Sequence, residues 1–352
     1  MQLLIAVDEA GYGPKLGPLC IVATAYICDD DTIVPSAAEF DAYATPNDVD
    51  GVRVCVDDSK RVFKPASATK SSSTDPTLSD PLAKLRRIIA VAENAMGKTY
   101  QSDHERWQAW MPDDIASVRV TPWLAELDSS ACSIDADELD QVSIQRAASN
   151  WSLSPWRLMG TRARLVTASR CNKFFDESGQ NKLDLLSQAS LSLAWDLLRE
   201  QTITPLIANL KHIHFFFDRQ GGRRYYASTI RDQWGDQTQS PPLANLAIIE
   251  ENRSVSLYRL EAVGVPATVQ FTVKGDSFTP VALSSLHAKW LRERSMQHFN
   301  DYFQGRFQEL VPDEKPLRPT AGYPTDAQRF LRDIKPVLDQ HSIDPDHLIR
   351  RR

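Results

Sequence analysis

An apolar run, Leu3-Leu4-Ile5-Ala6-Val7, stops on two acids, Asp8-Glu9, and a small-residue turn follows at once, Ala10-Gly11-Tyr12-Gly13-Pro14. A short apolar run closed by turn residues reads as a buried strand. Carboxylates at the end of such a strand are costly unless a cation or a proton neutralises them. The two glycines let backbone N–H groups approach a ligand closely. Together these features point to a metal site beside a phosphate-binding turn. The competing reading is that the acids are solvated turn residues, since Asp is common in turns.

Two further segments end in the same way. Ile213-His214-Phe215-Phe216-Phe217 runs into Asp218, and Val269-Gln270-Phe271-Thr272-Val273 is followed by Lys274-Gly275-Asp276. Strand side chains alternate faces, so Asp8 and Glu9 are expected to share a site only where the strand ends and a turn redirects the backbone. Carboxylate oxygens suit Mg²⁺ or Mn²⁺, with water and a substrate phosphate completing the shell.

The remaining pattern sets the fold class. Leu19 to about Tyr26, Val54-Cys55-Val56, Leu165 to Ala168 and Leu246 to Ile249 read as strands. Helices are predicted from Leu82 to about Met96, from Lys182 to Glu200, and from Pro280 to about Phe303, where Pro suits a first turn. Hairpin-linked strands followed by alternating helices and strands imply an α/β protein with a mixed sheet flanked by helices. A single domain over 1–345 accounts for this order, with a basic tail at 346–352. Residues 61–160 interrupt it as a loop and an insertion: 65–81 is rich in Ser, Thr and Pro, and within 98–160 Trp107, Trp110, Trp123 and Trp151 are expected to form a minor core of their own.

Composition excludes several classes. With a formal charge of −6, nucleic acid would have to meet a local basic patch. The five cysteines are odd in number and lack C-x-x-C spacing, which argues against a zinc site or disulfide framework and for a reducing compartment. No apolar run approaches the roughly 20 residues that span a bilayer, and no signal pattern opens the sequence. A cytoplasmic protein, monomeric and without membrane contact, is expected.

Asp8-Glu9-Ala10-Gly11-Tyr12-Gly13-Pro14-x-x-Gly17-Pro18 resembles the opening motif of the type 2 ribonuclease H family, D-E-A-G-R-G-P-x-x-G-P. Further segments resemble that family in the same order: Asp58-Ser59-Lys60, Asn181 ahead of a helix, Asp218, Asp276 with Ser285-Leu286-His287-Ala288-Lys289, and Gly322-Tyr323-Pro324-Thr325-Asp326. The resemblance implies a ribonuclease H-like sheet and an endoribonuclease. Its substrate would be an RNA–DNA hybrid, or duplex DNA with embedded ribonucleotides cut on their 5′ side. Asp8, Glu9, Asp218 and Asp276 would be the catalytic carboxylates holding Mg²⁺ or Mn²⁺. Water would attack phosphorus in line and leave 3′-hydroxyl and 5′-phosphate ends. Gly11, Tyr12 and Gly13 would sense the ribose 2′-hydroxyl, which separates RNA from DNA. Tyr323 would pack on a neighbouring nucleotide, and Ser59, Lys60 and Lys289 would lie near phosphates.

The sequence also departs from the family. Tyr12 stands where the family has arginine, and a lost guanidinium changes phosphate grip. Arg219-Gln220-Gly221-Gly222-Arg223-Arg224-Tyr225-Tyr226 is more basic than the family's short D-G. It reads either as a phosphate-contacting loop with Arg223 as the contact, or as a helix start with Tyr225 and Tyr226 in the core. Arg292 is a phosphate ligand or an exposed helix residue, and His287 a surface or packed one. The alternative function is a non-catalytic RNA/DNA-binding protein that retains the fold.

Overall fold

Seven strands of this computed structural model form one mixed sheet in the order β5-β2-β1-β6-β9-β8-β7. They are β1 (Gln2–Ala10), β2 (Leu19–Cys28), β5 (Arg157–Val166), β6 (His212–Asp218), β7 (Ala247–Glu251), β8 (Val255–Ala262) and β9 (Val265–Thr272). The structure describes residues 1–63, 82–128, 134, 139–235 and 245–351. The expected loop at 65–81 lies outside the described residues.

β1 pairs antiparallel with β2 and parallel with β6, and β6 pairs parallel with β9. From Leu3 to Val7, β1 is apolar without interruption because both its faces are covered. Leu3, Ile5 and Val7 enter one hydrophobic layer with Phe215, Phe217 and the helix Lys182–Leu198. Leu4 and Ala6 enter the other layer, under the long helix Thr279–Leu310. That the Lys182–Leu198 helix starts where it does follows from Asn181, whose side chain accepts from the N–H groups of Leu183 and Asp184 in a reciprocal capping box with Asp184. The mixed sheet flanked by helices is therefore as expected.

Several local expectations need correction. Val54 belongs to a separate two-stranded sheet, β3 (Asn47–Val49) with β4 (Val52–Val54), and Cys55 and Val56 lie beyond it. Ala168 opens a helix instead of ending a strand. β8 is a strand the periodicity did not single out: its buried residues Ser256, Tyr258, Leu260 and Ala262 include a hydroxyl-bearing pair that blurs the apolar alternation. The inserted tryptophans are buried, but not in a separate core. Trp107, Trp110, Trp123 and Trp151 belong to the same hydrophobic layer as β1, β2 and the long helix. Residues 346–351 are not a free tail either: Asn172 donates to the carbonyls of Asp346 and Ile349, and Leu16 bridges to Ile349.

Candidate functional site

Four acids meet at one end of the sheet. The parallel register pairs Val7 with Phe217, so Asp8 and Asp218 follow on adjoining strands. Asp218 pairs with Thr272 of β9, and the chain then turns at Lys274 (φ 57°) and passes through Gly275 to Asp276. The Gly275 N–H donates to Asp218 Oδ1 at 2.6 Å. A Cβ on residue 275 would fall 2.8 Å from Asp218 Cα, so glycine is what lets the two segments close. Asp8 and Glu9 share the site while still inside β1, which runs on to Ala10, so the redirecting turn is not required. Asp8 Oδ1 accepts from the Glu9 N–H at 2.8 Å.

The four carboxylates lie close enough to act on one another's proton affinity. Burial, then the Glu9 and Asp218 carboxylates, hold the Asp8 carboxyl well above its usual range, opposed by the Ser285 hydroxyl. Glu9 is pushed up to about 7 by burial, with Asp218 and then Asp276 adding to it. Burial raises Asp218, opposed by the Gly275 N–H and reinforced by Asp276. Burial and the charge of Asp58 raise Asp276. Among the described residues no group of three or more His, Cys, Asp or Glu is arranged to hold a metal ion unaided. The donor chemistry nonetheless fits Mg²⁺ or Mn²⁺, which keep waters and take few protein carboxylates. Ser285 is a site neighbour that sequence reading placed only as part of a motif.

The turn after β1 is held from several directions. Gly11 adopts φ +89°, and a Cβ there would lie 2.6 Å from the Pro18 carbonyl oxygen and 2.7 Å from Arg292 Nε. The Lys15 and Leu16 N–H groups donate to the Gly322 carbonyl. Tyr323 is 55% exposed and faces Gly13, whose Cβ position is 3.5 Å from the ring. Asp326 fixes that loop by accepting from Thr320 Oγ1 and the Ala321 N–H. Tyr12 is half-buried: Lys182 Nζ lies 4.6 Å from its ring centroid, and its hydroxyl lies 3.2 Å from where a Cβ on Gly221 would sit.

The basic candidates divide. Asp58 caps the short helix Ser59–Val62 by accepting from the Lys60 N–H, leaving Ser59 at its first position. Lys60 is exposed, with Nζ 4.0 Å from Asp276 Oδ2. Lys289 pairs with Glu293 at 2.9 Å and lies over the Phe63 ring. Arg223 pairs with Asp184 and donates to Thr229, so its guanidinium is already engaged. It also borders a recess of about 430 Å³ with Arg224 and Tyr225. Of the two tyrosines expected in the core on the helix-start reading, Tyr226 is buried while Tyr225 is 66% exposed. Arg292 is neither exposed nor a surface phosphate ligand: it is buried and donates to the Ala321 carbonyl. His287 is packed against Trp110.

Comparison of the sequence with models of known protein families and with curated proteins gives no match. Among solved structures the chain is similar to the ribonuclease H2 of Pyrococcus horikoshii OT3, at 14% identity and TM-score 0.38, over 99% of this chain and 92% of that one. It is also similar to the RNase HII of Archaeoglobus fulgidus seen in complex with PCNA, at 12% identity and TM-score 0.34, over 99% and 94%. A third is Bst-RNase HIII in complex with Mn²⁺, at 11% identity and TM-score 0.32, over 99% of this chain and 66% of that one. Likeness at this level assigns the chain to no family and adds nothing to what its own sheet shows. Among the described residues no helix is long and apolar enough to cross a membrane.

Proposed function

We propose that this protein is a metal-dependent ribonuclease H that cuts RNA within RNA–DNA hybrids or incises duplex DNA 5′ of embedded ribonucleotides. The observation that carries the proposal is the meeting of Asp8, Glu9, Asp218 and Asp276 from three separate segments, with Glu9 and Asp218 raising the proton affinity of Asp8, Asp218 and Asp276 that of Glu9, and Asp276 that of Asp218. Such a cluster is unfavourable by itself and becomes favourable when a cation is shared. Asp8, Glu9, Asp218 and Asp276 would hold Mg²⁺ or Mn²⁺, which supplies charge stabilisation and activation of water at the scissile phosphate.

The chain's own residues do the rest. Asp218, locked by the Gly275 N–H, fixes the position of the cluster relative to β9. Gly11 and Gly13 present bare backbone beside it, and a 2′-hydroxyl can both donate to and accept from such backbone. Tyr323 offers an exposed ring for a neighbouring nucleotide. Lys60, exposed beside Asp276, would meet a backbone phosphate.

The test is cleavage of a duplex carrying one ribonucleotide, alongside a long hybrid, with Mg²⁺ or Mn²⁺. Absent cleavage of both by wild type, or full cleavage by Asp218→Asn, overturns the reading. The second reading is binding of hybrid without hydrolysis. It is favoured by Tyr12, which carries no charge where the resembled family has arginine, and it predicts hybrid affinity indifferent to metal.

A further inference from the structure

Arg350 is buried to 2% exposure and lies behind the Gly11–Pro14 turn. Its Nη2 donates to the Gly11 carbonyl at 2.6 Å and to the Pro14 carbonyl at 2.5 Å. Its own N–H donates to the Lys15 carbonyl at 2.9 Å, so side chain and backbone grip the same turn. Its Nε and Nη1 meet no nitrogen or oxygen partner, the Cys171 side chain bonds to the guanidinium, and among the described residues no carboxylate pairs with it. A buried guanidinium without a counter-ion is expensive and is kept only where its position is constrained by something else. Cys171 is in side-chain contact with it, and Arg292 lies close enough to oppose its charge.

A carbonyl that accepts from behind leaves its peptide plane fixed, and with it the N–H groups of the next residues. Tyr12, between the two glycines of the turn, carries no charge. Lys182 Nζ lies over the Tyr12 ring, Arg223 lies close enough to act on the Tyr12 hydroxyl, and Arg292 Nε is 2.7 Å from the Gly11 Cβ position. Arg292 is paired with Glu293, so of the two buried guanidiniums at this turn Arg350 is the one whose positive charge is not offset by a carboxylate among the described residues.

We infer that Arg350 is a positioning residue that sets the conformation of the Gly11–Pro14 turn and supplies, from behind, the positive charge that Tyr12 does not. The consequence for substrate rests on the ribonuclease H reading above; the consequence for the turn does not. Arg350 touches no reacting atom and acts through the carbonyls of Gly11 and Pro14.

Two measurements on full-length wild type, Arg350→Lys and Arg350→Met separate these. The first is amide hydrogen exchange, which reports local opening. Arg350→Met is expected to speed exchange of the Lys15 and Leu16 amides at least tenfold while the amides of β1 and β6 stay within twofold. Exchange of Lys15 and Leu16 unchanged in Arg350→Met, or raised equally across β1 and β6, overturns the inference. The second is binding of a ribonucleotide-containing duplex without added metal, read by fluorescence anisotropy. Arg350→Met is expected to weaken it at least fivefold and Arg350→Lys, which keeps the charge, less than threefold. Equal affinity in all three overturns the charge role. A wild type that binds no such duplex overturns the ribonuclease H reading and the charge role with it, while the exchange result still decides the clasp.

Discussion

The two glycines of the Gly11-Tyr12-Gly13 turn look interchangeable in the sequence, and the structure predicts opposite behaviour. Gly11 holds φ +89°, and a methyl group there would meet the Pro18 carbonyl at 2.6 Å and Arg292 Cδ at 2.8 Å. The carbonyl is backbone and cannot rotate away. Adopting that φ with a side chain costs about 1–3 kcal/mol, and forcing an atom into packed surroundings costs about 1–3 kcal/mol more. Gly11→Ala is therefore expected to lose about 2–6 kcal/mol. At Gly13 the same methyl would sit 3.5 Å from Tyr323 Cε1, an ordinary contact, at an exposed position. Gly13→Ala is expected to change stability by less than about 0.5 kcal/mol, yet it fills the space between the turn and the Tyr323 ring and so should weaken duplex binding. Guanidinium unfolding gives the first quantity and anisotropy titration the second. If Gly11→Ala unfolds at the wild-type midpoint, or if Gly13→Ala loses as much stability as Gly11→Ala, the assignment of strain to residue 11 and of contact to residue 13 is wrong.

Other expectations are as direct. Asp218→Asn removes one of the mutually repelling charges, so metal-free protein should melt no lower than wild type while cleavage falls at least a hundredfold; a lower Tm with retained cleavage contradicts both halves. Glu9 binds its proton up to about 7 in the folded chain against 4.5 ordinarily. The stability this gives is present below pH 4.5 and lost as pH rises through 7. Added Mn²⁺ should therefore raise Tm more at pH 8 than at pH 5.5, a difference that calorimetry would find missing in Glu9→Gln. His287 is buried, its Nδ1 bonded to the Leu283 carbonyl, and burial holds it down to about 4. Its contribution is present above pH 6.5 and lost as pH falls to 4, at most about 3 kcal/mol, so His287→Leu should flatten acid unfolding over that window.

What the sequence made legible was whatever is written as a pattern along a strand or helix. Asp8, Asp218 and Asp276 stood out because each closes an apolar run, and the sheet places them together for that same reason. β8 was missed because Ser256 and Tyr258 point inward, and a buried hydroxyl spoils an alternation read from hydropathy. Arg292 and Arg350 were misread because basic residues are ordinarily exposed. Nothing local announces that one packs on Gly11 and the other accepts burial to bond the Gly11 and Pro14 carbonyls. Contacts of such sequence separation leave no periodic trace. The same holds for the insertion: its tryptophans were legible as core residues, but that they would join the long helix depends on the fold.

The grip of Gly322 and Arg350 on the turn near residue 11 also orders events in time. A chain emerging from the ribosome has all four acids once residue 276 is out, and β1, β6 and β9 can then pair. The loop that faces them must still wait for residue 322 to accept its amides and for residue 350 to bond its carbonyls. During synthesis, a carboxylate cluster beside an unclasped Gly11–Pro14 turn is therefore the state that precedes the clasped one.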